Sequence, residues 1–271
     1  MSQIKAISRR IVAGTVSFAG LFFAAAPAAA QCQWAQGDGL PGLDGSVYAA
    51  AVFNDGSGDA LYVGGEFTLA GDADASNIAK WDGSTWSALG SGMSNSVYAL
   101  AVFDDGGGPA LYAGGFFTTA GGVSANRIAK WNGSSWSALR SGLNGGVLAL
   151  TVFDDGRGSA LYAGGSFLAA GGSSANRIAK WNGSGWSPLW VGMDSVVWAL
   201  TVFDDGGGPA LYAGGFFTTA GGVSANYIAK WNGSTWSALG SGMNEKVLSL
   251  TSTMAADRPC TPGETSLPRA V

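Results

Sequence analysis

A period of 50 residues runs through most of this chain and constrains its fold more than any other feature. The clearest markers are four tryptophans at equivalent positions, Trp81, Trp131, Trp181 and Trp231. Residues 101–150 and 201–250 are identical at 42 of 50 positions. Repeats of this length are typical of propellers, solenoids and arrays, in which one unit cannot bury its own apolar surface and neighbouring units must therefore stack.

Within one copy, the sequence predicts four short antiparallel strands and no helix. Apolar, β-rich runs alternate with clusters of turn residues, and the 3.6-residue period of an amphipathic helix is missing. In the second copy the predicted strands cover residues 97–103, 110–117, 127–131 and 135–139. An acidic, glycine-rich turn at 104–109 and a loop at 118–126 separate the first three strands, and Asn132-Gly133 predicts a type I′ hairpin before the fourth.

This pattern predicts an all-β fold, a β-propeller of four complete four-stranded blades. The predicted blades cover about residues 47–92, 97–142, 147–192 and 197–242. Partial strands are expected at 33–37 and 247–251, so we interpret the four blades as truncated from a larger ring. Trp, Tyr and Phe side chains would fill the space between blades, and Ala and Gly would allow the blades to approach closely.

The copies resemble the repeats of kelch β-propellers. The resemblance rests on a hydrophobic hairpin ending in Gly-Gly and on one asparagine and three large apolar residues, in the second copy residues 110–115, Asn126, Trp131, Trp136 and Leu139. The segment 126–139 is also similar to the repeats of Rax2-type extracellular propellers. The resemblance covers residues 33–251 and implies that the four strands run from innermost to outermost in each blade. WD40 repeats are disfavoured because their Gly-His signature needs histidine, and the chain has none.

Residues 1–30 have the features of a secretory signal peptide. Basic residues (Lys5, Arg9 and Arg10) precede an apolar stretch, and small residues precede Gln31. A transmembrane anchor is the alternative, but the apolar run falls short of the ~20 strongly apolar residues that span a bilayer. We therefore expect a secreted, periplasmic or cell-surface protein whose repeats occupy residues 31–251, with no membrane insertion after signal removal.

Residues 252–271 leave the repeat composition abruptly, and we interpret them as an out-of-frame reading of a fifth repeat. A coding sequence can be written for a repeat-like segment so that the shifted frame reads as all twenty residues of the tail. A genuine non-repeat tail is the alternative, and the nucleotide sequence decides between them. Cys32 and Cys260 could form a disulfide between the ends of a secreted domain, but Cys260 is accidental if the frame has shifted.

The composition argues against most enzymatic functions and against nucleic acid as a partner. Without histidine the chain cannot build a Ser-His-Asp triad, a His-ligated zinc site or the copper site of galactose-oxidase-type enzymes, which share the kelch-like propeller. Acidic residues found in one copy only, such as Glu66 and Glu245, show no sign of the paired carboxylates of a glycosidase. The pI is about 4.7, and the net charge is −7 once residues 1–30 are removed. We expect no enzymatic activity, no metal and no cofactor.

Three repeated polar motifs each have a structural and a functional interpretation. Asp104-Asp105 and its equivalents could bind Ca²⁺, but calcium loops place their ligands on alternate residues, whereas adjacent carboxylates followed by glycine suit a hairpin turn. Asn132-Gly-Ser fits both a glycosylation sequon and a turn, and we favour the turn because Asp82 in the first copy keeps the turn without the sequon. We expect the lysines of the third strands to reach the rim of the sheet or to pair with an aspartate rather than to bind anions, namely Lys80, Lys130, Lys180 and Lys230.

Differences between near-identical copies identify the candidate binding residues, because the fold does not dictate a residue that varies between copies. The differences lie where the second strand ends, where the third begins and in the links between copies. These connections emerge on one face of an antiparallel blade, and loops on a rigid scaffold commonly carry function. The candidate binding residues on this face are Arg127, Arg177, Trp190, Tyr227, Arg140, Phe116 and Phe216. Neutral drift on a tolerant surface is the alternative.

The sequence thus predicts a secreted, non-enzymatic binding or interaction module that presents a propeller face to a protein or a glycan. One alternative is a passive structural repeat protein, or a truncated product, without a specific ligand. A glycan-active enzyme is a further alternative. Nucleic acid is not expected as a partner.

Overall fold

The computed structural model describes residues 42–251, and this part of the chain is entirely β-structure and loops. It contains no helix and therefore no helix that could cross a membrane. The predicted signal peptide, the partial strand at 33–37, the tail at 252–271 and both cysteines lie outside the described residues.

Each of the four repeats contains six strands: two long strands, a short ribbon of two, and two further strands. The first repeat contains β1 (Ser46–Asn54), β2 (Asp59–Glu66), β3 (Leu69–Ala70), β4 (Ala73–Asp74), β5 (Ile78–Trp81) and β6 (Trp86–Ala88). The second contains β7 (Val97–Asp104), β8 (Pro109–Gly115), β9 (Thr119–Ala120), β10 (Val123–Ser124), β11 (Ile128–Trp131) and β12 (Trp136–Ala138). The third contains β13 (Val147–Asp154), β14 (Ser159–Gly165), β15 (Ala169–Ala170), β16 (Ser173–Ser174), β17 (Ile178–Trp181) and β18 (Trp186–Pro188). The fourth contains β19 (Val197–Asp204), β20 (Pro209–Gly215), β21 (Thr219–Ala220), β22 (Val223–Ser224), β23 (Ile228–Trp231) and β24 (Trp236–Ala238).

The long and outer strands of each repeat form one four-stranded antiparallel sheet in chain order, such as β13-β14-β17-β18 in the third repeat. This confirms the prediction of four repeated four-stranded units. The short ribbons correct the prediction of a plain loop at 118–126, because β9 and β10 pair there across a Gly121-Gly122 turn. Strands of two residues are too short for an alternating pattern to reveal them.

Neighbouring sheets stack through an apolar core. The first strands lie beside one another in the order β1, β7, β13 and β19. Between the second and third sheets, Phe103 and Tyr112 of one sheet pack with Val147 and Trp181 of the next. Gly114 lies at this contact, where a Cβ atom would overlap the Val147 side chain. The close approach of the sheets therefore requires glycine here, in agreement with the expected role of the small residues.

The turn between the last two strands is longer than the two-residue hairpin expected from Asn132-Gly133. Trp131 pairs with Trp136, so the connection has four residues, and Gly133 adopts the left-handed conformation (φ 100°) whereas Asn132 does not. The Asn132 side-chain oxygen accepts hydrogen bonds from the backbone N–H groups of Ser134 (3.0 Å) and Ser135 (2.9 Å). Asparagine is used here as a side-chain cap for the turn.

The segment 247–251 was predicted as a strand, but it forms no ladder with any described strand. Its packing nevertheless resembles that of the first strands of the other repeats. The Val247 N–H donates to the Gly215 carbonyl (3.1 Å), and the side chains of Val247 and Leu250 lie against Gly214. A strand needs a hydrogen-bonded neighbour, and the described residues after Val247 supply none.

Candidate functional site

The connections of each repeat emerge at two opposite ends of its sheet. We call the end that carries the short ribbons and the links between repeats, such as 143–146, the loop end. A bridge between Leu143 and Ala170 joins link and ribbon there. We call the end that carries the acidic turns and the Asn-Gly turns, such as 104–109 and 132–135, the turn end.

An aspartate, a lysine and a tyrosine form the same hydrogen-bonded group at the turn end of every repeat. In the second repeat the Lys130 ammonium lies 2.6 Å from the Asp105 carboxylate, which also accepts a hydrogen bond from the Tyr112 hydroxyl (2.8 Å). The adjacent Asp104 accepts hydrogen bonds from the Gly106 and Gly108 N–H groups (2.8 and 3.0 Å). Both carboxylates are therefore occupied by the turn. Of the two outcomes expected for the lysines, the rim of the sheet or an aspartate partner, the structure shows the aspartate partner in all four repeats.

These groups shift the pKa values of their members. Burial acts to raise the pKa of Asp105, but the hydrogen bonds from Lys130 and Tyr112 outweigh it and lower that pKa below its usual value. The Lys230 hydrogen bond lowers the pKa of the more exposed Asp205 to about 2. Burial and the Asp105 carboxylate raise the pKa of Tyr112. The lysine and tyrosine stabilise the charged aspartate and with it the turn. Because they occupy the carboxylate, little of it remains to bind an outside ligand.

Three of the predicted binding residues occupy one repeated position at the loop end. Arg127, Arg177 and Tyr227 have φ values of 64–66°, like Asn77 in the first repeat. This left-handed conformation costs most side chains about 1–2 kcal/mol, and asparagine tolerates it best. The guanidinium of Arg127 donates to the Phe116 carbonyl, and that of Arg177 donates to the Met193 carbonyl (2.9 Å).

A groove of about 380 Å³ opens beside Arg127, with Asn126, Asn144 and Gly172 among its lining residues. It lies between the second and third repeats. Arg127 thus contributes to a concave surface as well as anchoring the loop.

Aromatic side chains also meet at the loop end. The Tyr48 and Tyr98 rings stack with centroids 4.6 Å apart, and Tyr98 meets Phe116 edge-on at 5.5 Å. Further along, Trp198 packs on Phe216 at 5.8 Å, with the Lys246 ammonium 5.1 Å from the Phe216 ring centre. We call these residues the aromatic row, Tyr48, Tyr98, Phe116, Trp198 and Phe216. Tyr48 is 42% exposed and Phe116 is 37% exposed.

Sequence reasoning missed Tyr48, Tyr98 and Trp198. Each of them is an extra residue at a β-bulge, one position after the first valine of the strand. The signal was present, because the equivalent residue in the third repeat is Leu148 whereas the preceding valine is retained in all four. A bulge is often the device that redirects a side chain near a functional site.

The variation within the links has a structural explanation at one position. Asn144 accepts hydrogen bonds from the Leu168 and Ala169 N–H groups (2.8 Å each), and Asp194 and Ser94 do the same for their own ribbons. The position therefore varies only among residues whose side-chain oxygen can accept two N–H groups.

Two predicted residues point away from the others. Arg140 and Trp190 also have positive φ values (55° and 56°), at the position of Gly90 and Gly240. However, the Arg140 guanidinium donates to the Ser184 carbonyl in the Asn-Gly turn of the next repeat. Trp190 is 64% exposed and lines a groove of about 730 Å³ between the third and fourth repeats.

The lining of this groove includes Asp155, Lys180, Asn182 and Ser234. These residues belong to the turn end or lie on the strands that lead to it. The structure therefore brings Arg127, Arg177, Tyr227, Phe116 and Phe216 to the loop end. It directs the side chains of Arg140 and Trp190 towards the turn end.

Within residues 42–251, no three acidic or thiol side chains approach closely enough to hold a metal ion. In comparisons with known proteins, no family model matches the chain and no curated protein matches it.

Proposed function

We propose that this protein is a secreted, non-enzymatic binding module. Its stacked sheets are a kelch-like β-propeller scaffold, and its loop end presents a surface to a protein or a glycan. The repeated motifs described above support the scaffold, and the proposed signal peptide supports the location outside the cytoplasm.

The observation that carries the proposal is the concentration of costly, variable side chains at the loop end. Arg127, Arg177 and Tyr227 hold the left-handed conformation that Asn77 holds in the first repeat, and asparagine adopts that conformation at a lower cost than arginine or tyrosine. The aromatic row lies at the same end and keeps Tyr48 and Phe116 in contact with solvent. Arginine, tyrosine and tryptophan are the residues most enriched in binding hot spots.

A triple substitution tests this proposal. In Arg127→Asn/Arg177→Asn/Tyr227→Asn every change restores the residue of the first repeat, so we expect an unchanged or higher melting temperature. The immobilised triple variant should no longer retain the partner that the parent protein retains from an extract of its own cell envelope. Protease treatment of that extract distinguishes a protein partner from a glycan.

Arg140→Gly is the matched control. It removes an arginine from another left-handed position, but that side chain reaches the turn end. Retention should survive this change. If the parent retains nothing, the passive structural repeat is the better description, and if the triple variant retains the partner, the loop end is not the binding surface.

A further inference from the structure

Three of the residues that line the groove beside Trp190 are found at their repeat positions in the third repeat only. They are Arg157, Pro188 and Trp190. The other repeats have serine or glycine at the first position, alanine at the second, and glycine or arginine at the third. Residues more than thirty positions apart have thus departed from the repeat pattern and meet in one groove of about 730 Å³. That volume is within the range of small-molecule sites.

The fold does not favour tryptophan at position 190. Its backbone is left-handed (φ 56°), and glycine is the equivalent residue in the first and fourth repeats. Its indole is 64% exposed, so little of the backbone cost is recovered by burial. In the second repeat the equivalent groove is bridged instead, because Arg140 donates to the Ser184 carbonyl.

Of the charged side chains that line the groove, Asp155 and Lys180 are paired, and Arg157 is free to bind a ligand. The Asp155 carboxylate is already paired with the Lys180 ammonium (2.6 Å) and with the Tyr162 hydroxyl (3.0 Å). Arg157 uses its backbone N–H in the turn, donating to Asp155 (3.2 Å). Its exposed guanidinium makes no hydrogen bond and no ion pair with any residue in the described range 42–251.

An exposed indole face and an uncommitted guanidinium suit one ligand class well. The C–H face of a sugar ring packs on the face of an aromatic ring, because both surfaces are apolar and the indole offers a large one. A guanidinium binds a carboxylate through two parallel hydrogen bonds. We propose that this groove binds an acidic saccharide, a pyranose that carries a carboxylate, with Trp190 under the ring and Arg157 on the carboxylate.

Nonspecific electrostatic attraction would not explain the binding of an acidic saccharide to this protein. The chain carries a net charge of −4, so its overall field repels a polyanion and only a local arrangement can hold one. The site also lies apart from the loop end, and the proposal does not rest on the residues that carry the proposed function.

The test uses isothermal titration with a galacturonate trisaccharide and a glucuronate-containing hyaluronan tetrasaccharide. At least one should bind to the parent protein, and its methyl ester should bind about tenfold more weakly because the carboxylate is masked. Arg157→Gly, which restores the residue of the second and fourth repeats, should weaken binding of the acid to the level of the ester.

Trp190→Gly gives the sharpest result, because it should abolish binding while raising the melting temperature. Arg140→Gly, which also introduces glycine at the equivalent position one repeat earlier, should leave binding unaltered. The proposal is overturned if neither saccharide binds to the parent, if the esters bind equally well, or if Trp190→Gly binds as the parent does. The loop-end triple variant should still bind the saccharide, which separates this site from the proposed function.

Discussion

At the scale of the residue, the Asp–Lys–Tyr group at the turn end recurs in all four repeats. The carboxylate accepts both partners through one oxygen, as in the fourth repeat, where Lys230 lies at 2.5 Å and the Tyr212 hydroxyl at 2.9 Å from Asp205. Since the charged carboxylate is favoured in the folded state, its pKa lies below that of the unfolded chain.

We expect stability to fall in acid for this reason. An aspartate in the unfolded chain has a pKa of about 3.9, and Asp205 in the folded protein has a pKa of about 2. The contribution of these groups is complete above the unfolded value and is lost as the pH falls towards the folded value. Urea unfolding at pH 6, 4 and 3 should show the decline. Asp205→Asn should decline less between those values, and parallel curves would contradict the assignment.

A second residue-scale prediction concerns the glycine between stacked sheets. Gly114→Ala places a methyl group against Val147, and we expect a loss of about 1–3 kcal/mol in the free energy of unfolding from overpacking. Gly185→Ala is the control, because a Cβ there meets nothing within 4 Å and its φ is not positive. Adding Val147→Ala to the Gly114→Ala variant should recover part of the loss if the clash is the cause.

At the scale of the element, one side-chain acceptor in the preceding link holds each short ribbon in addition to the backbone bonds between them. Asn144 satisfies two N–H groups of the ribbon formed by β15 and β16. The equivalent residues include Asp194 and Ser94. The ribbon therefore requires a side-chain oxygen within hydrogen-bonding distance and not a particular residue type.

Asn144→Ala should therefore destabilise this ribbon, by about 1–2 kcal/mol for two orphaned N–H groups. Hydrogen exchange at the amides of Leu168 and Ala169 should accelerate. Asn144→Asp should retain slow exchange, because Asp194 makes the same bonds in the fourth repeat (2.9 and 3.0 Å). Equal exchange in all three proteins would mean that the ribbon is held by its backbone alone.

At the scale of the whole molecule, the burial of a residue depends on whether another sheet follows it. Met193 and Met243 occupy the same repeat position, but Met193 is 2% exposed and Met243 is 47% exposed. Phe153 and Phe203 differ in the same direction, at 5% and 39%. The third sheet is covered by the fourth, whereas residues 247–251 cover the fourth only in part.

We expect the two methionines to respond differently to the same change. Met193→Ala should cost about 2–4 kcal/mol because it leaves a cavity between two sheets, and Met243→Ala should cost less than about 1 kcal/mol. Equilibrium urea unfolding of the two variants gives the comparison. A large loss for Met243→Ala would show that its side chain is covered in solution, for instance by a second copy of the chain.

The sequence by itself determined the repeat unit, the four-stranded sheets and the order of their strands. Every copy carries similar apolar runs and similar turn residues at the same spacing, and such local signals need no knowledge of distant contacts. It left two outcomes open for Lys130 and its equivalents, reaching the rim of the sheet or pairing with an aspartate, and the structure shows the pairing.

Only the tertiary structure decided where the variable side chains point. Arg127 precedes a strand and Arg140 follows one, and the sequence placed both on one face, but the first lines a groove at the loop end and the second reaches Ser184 in the next repeat. The stacking of Tyr48 on Tyr98 at their bulges could not be predicted from the sequence either, because ring stacking depends on the spacing of neighbouring sheets. A one-dimensional pattern specifies which strand a residue joins, whereas the direction of its side chain is set by backbone conformation and by the surface of the adjoining repeat.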